Sequence, residues 1–166
     1  FNAMPAMMNS YFTAQFWVYR DGSPADKPCD FMFRVVSPNY FDLMGIPVVA
    51  GRRFDSQDRL ESPRVMVVSR QAVRTCWQGR DPIDSQVVRG YKPTGAKHQV
   101  VGVVGDVRDK GIDEDPVAVV YQLLEQNARH DYALIVHANS DPASLVPSIR
   151  QAVLEIDAGP VPTRFG

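Results

Sequence analysis

Residues Val36–Pro47 have the sequence VSPNYFDLMGIP, and this stretch says more about the fold than any other. Ser37 and Pro38 are typical of a helix start, because a serine oxygen accepts a bond from a free backbone N–H and proline fits the first helical position. Gly45 supplies the left-handed residue that commonly ends a helix. The stretch therefore predicts a strand that passes into a short helix, which stops at Gly45.

Further strands and helices extend from this stretch in both directions. A second helix is predicted after a cap at Ser69, and a C-terminal helix over Asp141–Asp157, whose apolar stripe should pack against the strand Tyr132–Ala138. The strands are predicted at Thr13–Arg20, Phe31–Val36, Arg64–Val68, Val87–Val88, Gln99–Val107, Val117–Leu124 and Tyr132–Ala138. Tight turns and strand–helix units alternate along the chain, so the predicted fold class is α+β.

Composition excludes several functions. The chain has 166 residues, 45% of them hydrophobic and 22% charged, with a formal net charge of -1. That charge does not steer the protein toward nucleic acid, so no nucleic-acid partner is predicted. No apolar run approaches the roughly 18–20 residues that cross a bilayer. Phe1 is not an initiator residue, so we expect a piece of a longer protein.

Two glycine-containing segments partly resemble nucleotide-binding motifs. Gly90–Lys97 (GYKPTGAK) resembles a stretched phosphate loop, but Ala96 separates glycine from lysine and His98 stands where a hydroxyl residue is needed. Gly102 and Gly105 lack the third glycine and the following helix of a dinucleotide fingerprint. Both segments are predicted to be structural, and no cofactor is predicted.

The acidic residues and histidines form no recognisable catalytic or metal-binding pattern. Asp106, Asp109, Asp113, Glu114 and Asp115 do not have the spacing of a calcium loop. The three histidines, His98, His130 and His137, have no HxH or HExxH spacing. No catalytic, cofactor-binding or metal-binding residue is therefore predicted.

The two cysteines, Cys29 and Cys76, are too few for a disulfide scaffold and lack CxxC spacing. Two strands and a helix separate them, and nothing local implies that they approach each other. We predict that they are not bridged, although an extracytoplasmic location would permit the bond.

Several short motifs occur in an order that is specific as a series. They are Val36–Pro47, Gly51-Arg52-Arg53-Phe54, Asp58, Val65–Ser69, Asp81-Pro82-Ile83, Val101–Arg108 and Val119-Val120-Tyr121. The series resembles the MacB-like periplasmic core domain of permeases in the MacB/FtsX family of ABC transporters, over roughly residues 30–160. Asp84 departs from the pattern, which has glycine after the Asp-Pro-Ile motif.

The resemblance implies a non-catalytic domain on the extracytoplasmic face of a bacterial membrane. It would combine a porter-like α/β subdomain, approximately 1–30 and 117–166, with an inserted β-rich subdomain, 31–116. The implied partners are the transmembrane remainder of the permease, a cytoplasmic ABC ATPase, and a periplasmic adaptor or substrate.

The leading hypothesis for this domain is a relay of conformational change that needs no active site. Two alternatives stay open at this point: a module that captures a ligand in a cleft, and a stand-alone hydrolase. The relay hypothesis expects single alanine changes at polar residues to leave transport intact. Those residues are Asp106, Asp109, Asp113, His98, His130 and His137.

Overall fold

The computed structural model describes residues 2–4, 13–20, 22–107, 115–127, 133–136 and 142–156. The strands are β1 (Asn2–Met4), β2 (Thr13–Arg20), β3 (Ser23–Pro24), β4 (Cys29–Val36), β5 (Val48–Gly51), β6 (Val65–Ser69), β7 (Gln86–Arg89), β8 (Lys97–Val104), β9 (Val119–Leu123) and β10 (Ala133–Ile135). The helices are α1 (Tyr40–Leu43), α2 (Arg70–Ala72) with the π-helical turn Val73–Trp77, and α3 (Val146–Ile156), with 3-10 turns at Leu124–Gln126 and Pro142–Leu145. Strands predominate among the described residues, and the predicted α+β class is confirmed.

Six strands of the first compact unit, Phe1–Ile135, close into a ring. The order is β2, β4, β9, β6, β8, β7 and back to β2. The pairs β4–β9 and β6–β8 are parallel and the other four are antiparallel. Strand β7 closes the ring, because Val88 pairs with Trp17 on one side and with Lys97 on the other. The predicted pairing of the Val87–Val88 strand with the strand that follows it is therefore confirmed.

Apolar residues cover both faces of the ring. In β6, Val65 and Val67 belong to one core while Met66 and Val68 belong to the other. A strand that is buried on both faces is expected to be continuously apolar, as this one is. All six ring strands contribute to the core that contains Met66 and Val68, so we place that core inside the ring. The other core lies between the sheet and α1.

Helix α1 ends as predicted, but it does not begin where it was predicted to begin. Gly45 has φ +64, so the left-handed stop is confirmed. The residue before the helix is Asn39, and its side chain makes no capping hydrogen bond. The backbone carbonyl of Ser37 accepts a hydrogen bond from the Tyr40 backbone N–H at 3.1 Å. The Ser37 cap was therefore wrong, because the helix begins at Tyr40, two residues later than a cap at Ser37 would require. Tyr40 is buried and lies near Tyr121.

The predicted cap at Ser69 is confirmed. Its Oγ accepts a hydrogen bond from the Ala72 backbone N–H at 3.1 Å and a second one from Val119 at 3.0 Å. The helix ends at Gln78 and Gly79, which both have positive φ. Ser69 thus ties the start of α2 to strand β9.

The second compact unit, Val136–Gly166, contains α3. The predicted helix over Asp141–Asp157 is confirmed within residues 142–156, where a 3-10 turn leads into α3. Its packing against the strand Tyr132–Ala138 stays a prediction. The division into porter-like and inserted subdomains stays a prediction as well. In the described residues, β2 and β9 share one sheet with β4 and β6.

Candidate functional site

A disulfide joins Cys29 and Cys76, so the prediction that they are unpaired is wrong. The bond links residues 47 apart in sequence, with their Cα atoms 6.2 Å apart. Cys76 is 3% exposed and belongs to the core inside the ring, and Cys29 packs against the same core. Disulfides are typical of proteins in an oxidising compartment.

Strand β4 explains why the two cysteines meet. Cys29 and Phe31 lie two residues apart in β4, so their side chains point to the same face. Phe31 stacks on Trp77, with ring centroids 6.1 Å apart and planes 12° from parallel. Cys76 is the neighbour of Trp77 on the π-helical turn. The ring-stacked pair therefore brings the two sulfur atoms together.

A cavity of about 530 Å³ opens beside the start of β8. Val65 and Val101 are buried and form its apolar floor, and the partly buried Ile83 adds to it. The polar lining includes Arg52, Asp58, Asp84 and Gln99. Most of this polar lining is exposed, so the cavity is an open depression on the surface.

Two glycines shape the wall of this cavity. Gly51 has φ +66, and a Cβ there would overlap the Val101 carbonyl and lie 2.8 Å from Ile83 Cδ1. A Cβ at Gly102 would overlap the Arg52 carbonyl. The Arg52 backbone N–H donates to Val101 at 2.9 Å across this contact. The missing side chains therefore let the end of β5 lie directly on β8.

Arg52 and Asp58 form a two-pronged ion pair in the cavity lining. The Arg52 Nη1 and Nη2 atoms donate to the two Asp58 carboxylate oxygens at 2.7 and 2.9 Å, and the Asp55 backbone N–H donates at 2.9 Å. Burial by itself would raise the pKa of Asp58, but these donors hold that pKa below its usual value. The hydrogen bond with Asp58 raises the pKa of Arg52.

Sequence reasoning missed the Arg52–Asp58 pair as a functional element. The signal available was that both residues belong to the motif series, six positions apart. Spacing alone does not say that their side chains meet, because the chain between them is a loop.

Asp84 contributes the remaining charge of the cavity. It has φ +63, a left-handed conformation that is uncommon for residues other than glycine. Its Oδ1 accepts from Gln99 Nε2 at 2.8 Å, and its backbone N–H donates to Val100 at 2.9 Å. The position where the family pattern has glycine is thus one whose backbone favours glycine.

The glycine-containing loop is a hairpin turn. Strands β7 and β8 flank it on either side. The Trp17 indole N–H donates to the Gly90 carbonyl at 3.0 Å, and the Tyr19 hydroxyl donates to the Pro93 carbonyl. Two aromatic side chains of β2 therefore hold the turn in place.

Asp106 is committed to a structural contact. Its carboxylate accepts from the Gln71 backbone N–H and from Arg74 Nη2, both at 2.6 Å, and so anchors the start of α2. Asp115 is exposed. Asp109, Asp113, Glu114, His130 and His137 lie outside the described residues. Within the described ranges, no group of three His, Cys, Asp or Glu side chains is placed to share a metal ion.

His98 is buried, with 4% of its surface exposed. Its Nε2 lies 3.4 Å from the Gln122 amide nitrogen. Burial lowers the pKa of His98 because it penalises the charged ring, and the positive charge of Arg64 acts in the same direction. The histidine is therefore a buried side chain whose surroundings favour the neutral ring.

The sequence profile of the MacB-like periplasmic core domain matches residues 4–153. The chain therefore belongs to this family of periplasmic domains of MacB/FtsX-type ABC transporter permeases. A comparison with curated protein sequences found no match. No helix in the part of the chain that the structure describes has the length and apolar content to cross a bilayer.

Among the solved structures that share the fold are two periplasmic or extracellular domains. The periplasmic region of MacB from Actinobacillus actinomycetemcomitans is 14% identical with a TM-score of 0.62, over 93% of this chain and 66% of that one. The extracellular domain of the noncanonic ABC-type transporter YknZ from Gram-positive bacteria is 16% identical with a TM-score of 0.61, over 95% of this chain and 76% of that one. This chain thus spans just under two thirds of the MacB region.

Proposed function

We propose that this domain is a non-catalytic relay in an ABC transporter permease. ATP hydrolysis in a separate cytoplasmic ATPase would move the transmembrane helices, and the domain would pass that motion to partners or substrate outside the membrane. Such a relay works by rigid-body or hinge motion of packed elements and needs no reactive group.

The observation that supports this proposal most is the closed ring of six strands with a core on each face. A closed, close-packed sheet resists deformation, because its interior side chains have few voids to move into. The Cys29–Cys76 bond further restrains the ring by tying β4 to the turn after α2. A body of this kind transmits a displacement applied at one end without absorbing it.

The test compares transport with domain stability in the full permease and its ATPase. Gly102→Ala should destabilise the domain by steric overlap, and Asp106→Ala should loosen the start of α2. Asp26→Asn, at an exposed residue, is the matched control. If the domain is a relay, we expect export per ATP hydrolysed to fall in proportion to the loss of thermal stability. A plot of export against thermal stability should then place all variants on one curve.

One result would overturn the relay. If a polar change such as Asp106→Ala abolished export while thermal stability, assembly and ATPase rate stayed normal, a specific binding or catalytic site would be required. The same measurement extends to Asp109, Asp113, His130 and His137, where the relay predicts no specific loss.

A further inference from the structure

Two polar side chains lie buried inside the ring of strands. His98 of β8 and Gln122 of β9 are 4% and 1% exposed. Each lies two residues along its strand from a valine of the inner core, Val100 or Val120, so both side chains point into the ring. Among the described residues, neither His98 Nδ1 nor Gln122 Oε1 makes a hydrogen bond of normal geometry. This pair therefore interrupts the apolar lining of the ring.

The charges that face His98 are positive. The guanidinium carbon of Arg89, at the end of β7, lies 4.9 Å from the centre of the Phe33 ring, which packs against the same core. The charges of Arg64 and Arg89 both oppose a proton on His98. Gln122 of β9 and Phe33 of β4 carry no charge, and no described carboxylate forms an ion pair with the histidine. A charged His98 would thus meet only repulsion from the surrounding strands.

Proton uptake by His98 would place a charge in the core without a counter-ion. Backbone groups of Ala96 and Val87 favour the charged ring, but burial outweighs them, and the pKa of His98 is lowered. A buried charge that lacks an opposite partner is costly. The fold escapes this cost when the histidine ring gains access to water.

The seam between β7 and β8 is the place where the ring of strands can open. Strand β7 has four residues, Gln86–Arg89, and it closes the ring. His98 lies opposite Val87, in the middle of the three residue pairs that join β7 to β8. Hydrogen bonds from Trp17 and Tyr19 to the turn after β7 hold that turn on β2. From this arrangement we infer that the seam is an acid-sensitive switch, in which proton binding by His98 separates β7 from β8. The inference concerns the fold and does not depend on the relay function.

Amide hydrogen exchange of the oxidised 166-residue chain tests this switch, measured from about pH 7.5 to 5 and corrected for the intrinsic effect of pH. One proton bound on opening predicts that protection at Val87 and Val88 falls about tenfold per pH unit below about pH 6.5, until the folded-state pKa of His98 is reached. The amides of Val35 and Val120, in the central strands β4 and β9, should lose much less protection.

Three variants assign the effect to the histidine. His98→Gln cannot take up the proton, so the protection of the seam should stay constant over this pH range. Arg64→Glu, at an exposed residue, replaces a repelling charge with an attracting one and should weaken the pH dependence. Asp58→Asn removes a titrating group in the loop before β6 and should leave the pH dependence of the seam unchanged.

Three results would each refute the inference. The first is protection of the seam that does not change with pH in the unaltered chain. The second is an equal loss of protection in all six strands of the ring, which would indicate general acid unfolding. The third is an unchanged pH dependence in either His98→Gln or Arg64→Glu.

Discussion

Opening the Cys29–Cys76 bond should cost the domain much of its stability. The bond closes a loop with a sequence separation of 47 residues. In the chain-entropy description, a cross-link over a loop of that length removes enough freedom from the unfolded chain to stabilise the fold by about 4 kcal/mol. For a chain of this size, each kcal/mol shifts the melting temperature by about 2–4 °C, so the expected fall is about 8–16 °C.

The assay is thermal and urea unfolding of the 166-residue chain in three forms. These are the oxidised protein, the same protein reduced, and the double variant Cys29→Ala/Cys76→Ala. The reduced protein keeps both sulfur atoms, so it isolates the effect of the link from the effect of packing. The slope of unfolding free energy against urea should rise in the unlinked forms, because their unfolded chains expose more surface.

Two results would refute this reasoning. The first is a difference below about 1 kcal/mol between oxidised and reduced protein, which would mean that the link does not constrain the unfolded chain. The second is two free thiols, with no mass loss of about 2 Da relative to the reduced chain, in protein prepared without reductant.

Four further predictions concern stability. Gly102→Ala should lose about 1–3 kcal/mol of stability in urea unfolding, because its Cβ would overlap the Arg52 backbone. Gly45→Val should lose about 1–2 kcal/mol from backbone strain alone, because Gly45 has φ +64 and open space around it. A variant as stable as the parent would contradict the corresponding prediction. The folded-state pKa of Asp58 is lowered, so the stability that this carboxylate contributes is present above about pH 4 and is lost as pH falls through its folded pKa. Asp58→Asn should therefore be less stable than the parent at neutral pH, and it should not show this loss of stability in acid. A curve of stability against pH that runs parallel to that of the parent would contradict this prediction. The folded-state pKa of His98 is also lowered. Between about pH 6.5 and this lowered pKa, the unfolded chain binds the proton and the folded chain does not, so the stability of the fold should decrease as the pH falls through this range. His98→Gln should flatten this part of the curve measured by thermal melting, and an unchanged slope would exclude His98 as its source.

Local features of the fold were predictable from the sequence because they depend on neighbouring residues. The Ser69 cap, the left-handed Gly45 and the hairpin between β7 and β8 each rest on a few consecutive side chains. Ser37 failed as a cap because the helix begins at Tyr40, directly after Asn39. Boundaries of this kind depend on small energy differences.

The candidate cavity was only partly predictable. Arg52, Asp58 and Asp84 were all noticed, the first two within the motif series and the third as a departure from glycine. Their convergence was not, since it requires the end of β5 to lie on β8 at Gly51 and Gly102. The sequence marks these glycines without saying which backbone approaches them.

The sequence by itself determined the family, the α+β class and most of the elements, because ordered motifs and apolar periodicity are local or linear properties. Only the tertiary structure decided that β7 pairs on both sides, that the sheet closes, and that Cys29 meets Cys76. The physical reason is that these contacts join residues far apart in the chain. Their partners are selected by the packing of Phe31 on Trp77 and of whole strands on one another, and no local preference of either cysteine encodes that choice.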